Sequence, residues 1–354
     1  MKKLIVLVAA MLMVSGMAYA DPQWDWYGSA RVAMVWDNLE VDTTADQDTF
    51  EQAMYATSRV GAKVKVSDEL TGHVEYGTAN GTANIRLLYG TWNFGGGNLI
   101  IGQDYGPLFT VSSLSIYAQN TAGVGEEMGL FNGGIHTNRL AQVKLEIGGF
   151  QAALIAPRST TITGTNAGAA TDTFAPAIQL AYTHKINNMY GKVGFGYTTF
   201  NREVGALDFE TDAWVAMLAG GINVNMFSIK GNVFVGDNVG QMLLLDVDGG
   251  VGDGLASSNA ADVIDNECVG FLVSARAKFN GMFSLEAGYG KLNTELDIAG
   301  SVEDDSKTYY LQAGITLAPG VSITPEIGCV DYERTTAGAN DKTNYAAIKW
   351  QINF

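Results

Sequence analysis

Residues 343–354 read T-N-Y-A-A-I-K-W-Q-I-N-F. Ala346, Ile348, Trp350, Ile352 and Phe354 share one parity, and Tyr345, Ala347, Lys349, Gln351 and Asn353 share the other. Strict alternation over twelve residues predicts a β-strand with one apolar and one largely polar face. An apolar strand that carries an aromatic carboxyl terminus suits a sheet whose outer surface meets lipid. The pattern therefore points to a transmembrane barrel.

The same alternation recurs through the chain. Segment 24–36 places Trp26, Ala30, Val32, Met34 and Trp36 on one face and Tyr27, Ser29, Arg31 and Ala33 on the other. Trp26 and Trp36 are ten residues apart. On a strand tilted by about 45° they stand roughly 23 Å apart along the membrane normal, close to the ~25 Å apolar band between aromatic girdles. Amphipathic segments follow at 54–66, 73–78, 84–94, 98–105, 138–147, 150–158, 174–186, 190–201, 212–225, 227–236, 267–279, 282–292, 308–317, 321–332 and 343–354. The alternation is poor in 84–105, where Trp92 and Phe94 break parity.

Short connections such as Gly148-Gly149, Asn187-Asn188, Asn280-Gly281 and Pro319-Gly320 alternate with longer segments rich in Asp, Gly, Ser, Thr and Asn. The expectation is an all-β, transmembrane antiparallel β-barrel of about sixteen strands. It has short periplasmic turns and long extracellular loops, in a multi-pass protein of the bacterial outer membrane. Outer-membrane lipid and lipopolysaccharide are then its surroundings.

Lys2 and Lys3, an apolar run from Leu4 to Val14, and Ala18-Tyr19-Ala20 read as a signal peptide over residues 1–20, leaving the barrel domain as 21–354. The formal net charge is −16, and removing Lys2 and Lys3 makes it more negative. That argues against nucleic acid as a partner.

Three stretches resemble the trimeric, sixteen-stranded general-diffusion porins of Gram-negative outer membranes. They are Ser58–Gly77 (S-R-V-G-A-K-V-K-V-S-D-E-L-T-G-H-V-E-Y-G), Ile85–Gly106 (I-R-L-L-Y-G-T-W-N-F-G-G-G-N-L-I-I-G-Q-D-Y-G) and the terminal strand. The resemblance implies a homotrimer that passes ions and small hydrophilic solutes. It also implies an inward-folded third loop, here 106–137, and recognition of the terminal strand with Phe354 by the barrel-assembly machinery. In that family acidic groups on the third loop face a ladder of wall arginines. Arg59 and Arg86 stand where two of these would be, and Glu126 and Glu127 are the acidic counterparts. Arg139 lies near the place of a third, although alternation groups it with Ala141, Val143 and Leu145, the outward set. The family's P-E-F-G-G is absent from this loop. The second loop, which latches onto a neighbouring subunit in the family, is reduced to Ala79–Ala83.

Parity alone assigns Arg31, Arg59, Lys63, Lys65, Arg86, Lys144, Lys192, Lys230, Arg276, Lys278 and Lys349 to the inward face, with fewer acids there: Glu75, Glu146, Glu286 and Glu326. A Lys or Arg on the lipid face near the midplane would cost about 2–4 kcal/mol, which favours the inward assignment. Most other acids fall in the long loops, so a basic wall and an acidic mouth are expected, and an anion-preferring channel is an alternative to a general one. A plugged barrel acting as adhesin or anchor is a further alternative.

No cofactor is expected. D-V-D-G-G-V-G-D at 246–253 spaces carboxylates as calcium loops do, but lacks the Glu at the twelfth position. No catalytic residue is expected either. His73, His136 and His184 are far apart in sequence, and only His136, beside the third loop, is a candidate for hydrolytic chemistry. Cys268 and Cys329 fall on the twelfth and fifteenth segments. Three strand spacings of about 4.8 Å place them roughly 14 Å apart, beyond the ~7 Å reach of a disulfide.

Overall fold

The computed structural model describes residues 22–41, 45–55, 57–79, 82–117, 132–136, 139–157, 162–165, 170–204, 207–245, 253–259, 262–333 and 341–354. Sixteen antiparallel wall strands follow one another round the molecule. They are β1 (Gln23–Val41), β2 (in two pieces, Gln47–Met54 and Arg59–Lys65), β3 (Leu70–Ala79), β4 (Thr82–Asn93), β5 (Asn98–Tyr105), β6 (Arg139–Ile147), β7 (Phe150–Ile155) and β8 (in two pieces, Ala170–Asp172 and Ala177–Ile186). Then come β9 (Met189–Val204), β10 (Leu207–Val224), β11 (Phe227–Asp237), β12 (Asn266–Lys278), β13 (Phe283–Leu296), β14 (Asp304–Ala318), β15 (Val321–Glu333) and β16 (Asp341–Asn353). β16 pairs with β1 from Asn353↔Ser29 to Asp341↔Val41, and so closes the sheet into a barrel.

The faces fall as alternation requires. Trp26 (66% exposed), Trp36, Trp350, Ile352 and Phe354 (74%) stand on the outside, whereas Tyr345 (5%), Ala347 and Lys349 are covered. Trp24 stacks on Trp26 at 5.6 Å and Trp36 meets Phe50 at 5.1 Å, at opposite ends of β1. Closure of the last strand is completed by Gly28 and Phe354, whose backbones exchange two hydrogen bonds of 2.6 and 3.0 Å.

Turn chemistry closes the periplasmic end. Asn187, Asn225, Gly95, Gly148 and Gly320 take positive φ there. Asn280 closes its turn with its side chain, which accepts from the amides of Met282 (2.7 Å) and Phe283 (2.9 Å).

The strands run further outward than alternation predicts. Residues 37–41, 47–53 and most of 202–211, read as loops, are strand. At a 45° tilt a nineteen-residue strand such as β1 rises about 44 Å, well beyond a ~25 Å apolar band. Beyond lipid both faces meet water, so the alternating pattern lapses while the hydrogen-bond ladder continues. The second hairpin is also tighter than read, because β3 reaches Ala79 and β4 begins at Thr82.

The parity break in 84–105 has a definite cause. β3 and β4 shift register between Glu75↔Leu87 and Tyr76↔Ile85, so Arg86 is the extra residue of a β-bulge. Ile85 is outward before it, and Leu88, Trp92 and Phe94 are outward after it. A second irregularity splits β2. Residues 55–58 lie between the Val32↔Met54 and Ser29↔Arg59 pairs, and Tyr55, Thr57 and Ser58 are buried there.

Cys268 and Cys329 are free thiols on β12 and β15, three strand spacings apart. Cys268 falls on the inward parity with Ser274, and Cys329 on the outward parity with Ile327, so their side chains leave opposite faces of the wall.

Candidate functional site: the lumen and its third loop

The lumen is shaped by what the third loop touches. Residues 106–117 leave β5 and run along the inner wall toward β1. Leu108, fully buried, seats over Gly194 and Gly196 of β9, where a Cβ would collide with it. Lys192 Nζ donates to the Phe109 carbonyl at 2.7 Å, and Ser274 of β12 donates to the Ser112 carbonyl. Ser113 and Tyr310 of β14 share a 2.9 Å hydroxyl contact.

Two wall carboxylates then take the loop's backbone. Glu286 of β13 accepts from the Leu114 amide (2.7 Å), Tyr310 (2.5 Å) and Gln312 (3.3 Å). Glu326 of β15 accepts from Ser115 Oγ (2.9 Å), the amides of Ile116 (2.9 Å) and Tyr117 (3.2 Å), and Tyr345 (2.8 Å). Tyr117 stacks on Tyr345 at 4.3 Å and donates to Asp37 of β1 at 3.1 Å, while Tyr55 in the β2 break donates to the Ile116 carbonyl.

The return limb, 132–136, is held as firmly. Asn132 bonds Thr308 and Ser306, and Asn232 donates to the Gly133 carbonyl at 2.7 Å. Gly133 has φ +77° and lies so close to the Phe271 and Lys291 carbonyls that a Cβ has no room. The His136 amide donates to the Leu244 carbonyl at 3.0 Å, which joins this loop to the sixth. Leu108, Ile135, Val215, Phe234, Met242, Leu244 and Cys268 are members of one buried apolar cluster.

The sixth loop is therefore not simply the solvated acidic segment expected. Val239–Met242 forms a 3-10 turn, and Leu244, Leu245, Leu255 and Ala256 are buried. Ser257–Ser258 pairs with Val263–Ile264 and, in parallel, with Thr163–Gly164 of the fourth loop. A loop rich in Asp still contributes its leucines to the interior because the wall beneath it, β10 to β13, presents apolar side chains inward. Most of the 246–253 calcium-like stretch, and Glu126 and Glu127, lie outside the described residues. Among the described residues no group of His, Cys, Asp and Glu is arranged to hold a metal.

The facing wall, β16 through β6, carries the predicted bases. Arg86 Nε lies 2.8 Å from Glu75 Oε1, and Arg59 lies 3.6 Å from the same oxygen. Tyr27 donates to Glu75 Oε2 at 2.6 Å and contacts His73 at 2.7 Å, and His73 meets Tyr89 at 3.0 Å. Arg31 bonds Ser29 (2.9 Å) and Thr57 (3.2 Å). The β16–β1 register sets Lys349 opposite Ala33, one inward step from Arg31. Lys349, Arg31, Arg59 and Arg86 thus form a stripe on β16, β1, β2 and β4, interrupted by the single carboxylate of Glu75 on β3.

Arg86 is only 2% exposed, so it sits in the wall rather than at its surface. Arg139 has the outward parity expected of it, yet its guanidinium reaches Tyr105 Oη at 3.3 Å, which Arg86 also approaches at 3.4 Å. Lys144 is inward and buried against Asp104 at 2.6 Å, with Glu146 at 3.7 Å. Asp104 was missed by sequence reading, although its parity matches Gly102. Lys63 pairs across to Asp25 and His73 in the sheet register. Lys65 holds Asp68 at 2.7 Å, and this hydrogen bond keeps the Asp68 carboxyl below its usual range.

A closed sixteen-stranded transmembrane barrel with a loop folded into a charged lumen defines an outer-membrane diffusion channel. The chain belongs to the Gram-negative porin family, whose profile matches residues 6–337. Among solved structures it is similar to the outer membrane channel DcaP of Acinetobacter baumannii, at 16% identity and a TM-score of 0.74, over 94% of this chain and 97% of that one. It is also similar to OmpF of Salmonella typhi in complex with daunomycin (13% identity, TM-score 0.59, 94% and 97% covered). An anion-selective porin from Comamonas acidovorans compares at 13% identity and a TM-score of 0.58, over 94% and 100%. No curated protein matches the sequence significantly.

Proposed function

We propose that this porin passes small anions in preference to cations. The reading rests on how the lumen's carboxylates are used. Glu286 and Glu326 are spent on the third loop's amides and on wall tyrosines, and Glu75 on Arg86, Arg59 and Tyr27. The described parts of that loop, 106–117 and 132–136, carry no carboxylate of their own. Fixed positive charge on the β16–β4 stripe therefore meets described loop limbs without carboxylates across the water path. Charge lining a narrow pore sets its ion preference. The anion-selective Comamonas porin shows that the fold accommodates that sign. Reversal potential across a bilayer with a KCl gradient tests it: a chloride-selective sign is expected, and a potassium-selective sign sinks the reading.

The chain's export and assembly complete the proposal. Residues 1–20 are the export signal, and the mature barrel forms a homotrimer in lipopolysaccharide-containing membrane, with Phe354 read by the assembly machinery. The trimer form in which OmpT of Vibrio cholerae is known, similar to this chain at 15% identity and a TM-score of 0.53, supports that assembly. Mass determination of the purified protein and of its native complex checks both points.

A further inference from the structure

Below the third loop, toward the periplasmic turns, two adjoining cavities of about 280 and 380 Å3 share Leu114, Arg276, Lys278 and Glu286. Lys349 lines the first and Lys230 the second. Arg276 and Lys278 are two residues apart on β12 and so face the same side. Lys230 stands on the neighbouring strand β11, opposite Ser274. Lys230, Arg276 and Lys278 lie away from the Lys349–Arg31–Arg59–Arg86 stripe, and channel family membership assigns them no role.

The decisive observation is the orientation of Arg276. Its cross-strand partner is a carboxylate, Glu286, yet no ion pair forms between them among the described residues. Glu286 is turned to the loop amide, Tyr310 and Gln312, while the Arg276 guanidinium donates instead to Ser284 Oγ at 3.1 Å. Lys230 and Lys278 likewise have no carboxylate partner among the described residues. A planar donor fork, two flanking ammonium groups and a hydroxyl therefore converge on a water-filled space whose one acid is already committed. Guanidinium and ammonium donors of this kind recognise phosphate through charge-assisted hydrogen bonds.

We propose that this vestibule is a binding site for a phosphate group, as the inorganic dianion or a small phosphate monoester, at the periplasmic exit of the channel. The proposal rests on the anion-preferring reading and adds to it a ligand class and a place. A compact dianion is drawn to Arg276 and Lys278 together more strongly than a monovalent anion is. Binding at the exit also makes the effect of phosphate on current sided.

The test uses the full-length porin in two formats. In detergent, equilibrium dialysis with inorganic phosphate, glycerol phosphate and succinate at constant ionic strength reports binding without any dependence on conduction. Saturable phosphate binding is expected, weakened at least tenfold in Arg276→Gln plus Lys278→Gln, partly restored by Arg276→Lys and unaltered by Lys63→Gln on the opposite wall. Glycerol phosphate binding alongside inorganic phosphate places monoesters within the class, and its exclusion restricts the site to the inorganic ion. In bilayers, phosphate added on the turn side is expected to reduce the current at lower concentration than phosphate on the loop side. Equal binding of succinate overturns the phosphate class. Absence of saturable binding, or binding indifferent to the double substitution, overturns the site. A cation-selective reversal potential in the same bilayers counts against the anion-preferring reading while leaving the dialysis result to judge the site.

Discussion

Glu326→Gln isolates the attachment of the third loop. The carboxylate is 2% exposed and accepts from four donors at 2.8–3.2 Å. An amide has one acceptor oxygen, and its NH2 group would face the N–H groups of Ile116 or Tyr117. Two of the four bonds are therefore lost. Hydrogen bonds to a charged acceptor contribute about 1.5–3 kcal/mol each, so the gross loss is about 3–6 kcal/mol. Glu286 still holds Leu114, and neighbouring groups relax together, so the lower figure is the better guide. About 3 kcal/mol raises the unseated population of the loop by a factor of about 10². Single-channel recording at fixed salt reads this directly: wild type conducts steadily, and Glu326→Gln flickers between levels. Glu286→Gln plus Glu326→Gln flickers more. The barrel's resistance to detergent at room temperature stays as in wild type, since most of the Glu326 hydrogen bonds go to the loop and one, from Tyr345, joins it to the wall. A correctly folded Glu326→Gln barrel with wild-type conductance and noise refutes the assignment of Glu326 as the loop's anchor.

Three further outcomes follow from the same geometry. Arg59→Gln plus Arg86→Gln leaves Glu75 without its cations; each unit charge about 7 Å from a permeating ion, screened by salt, changes the anion-to-cation ratio by about 2- to 5-fold, and an unchanged reversal potential removes these arginines from the selectivity wall. Leu108→Ala empties the seat over Gly194 and Gly196 and costs about 2–5 kcal/mol of local packing, so proteolysis within the third loop accelerates while thermal unfolding of the barrel stays within a few degrees of wild type. Cys268 and Cys329, both buried, resist a membrane-impermeant thiol reagent in the folded protein, and two thiols titrate after unfolding without reductant; a single or absent thiol contradicts the strand placement.

Alternation made most of the wall legible. The terminal strand, the three hairpins around Asn187, Asn280 and Pro319, and the inward parity of Lys63, Lys65, Lys144, Lys192, Lys230, Lys278 and Lys349 are readable because lipid on one side and water on the other impose a period of two. Arg86 falls on the inward side as parity has it, while Trp92 and Phe94 break the alternation after it, since a bulge adds one residue and alternation cannot show where. Above the membrane the constraint disappears, which is why residues 47–53 and the top of the β9–β10 hairpin read as loops.

What the sequence determined by itself is the barrel, its strand number and the basic character of its lumen, each a consequence of local periodicity repeated around a closed sheet. Tertiary structure alone decided how that charge is used. Glu286 and Glu326 look like counter-charges to the wall lysines when they are counted along strands. Folding brings the third loop across to them, more than 160 residues away in the chain, and its backbone amides take the carboxylates. Lys230, Lys278 and Arg276 are left without a carboxylate partner among the described residues because the loop's N–H groups and wall hydroxyls occupy those oxygens.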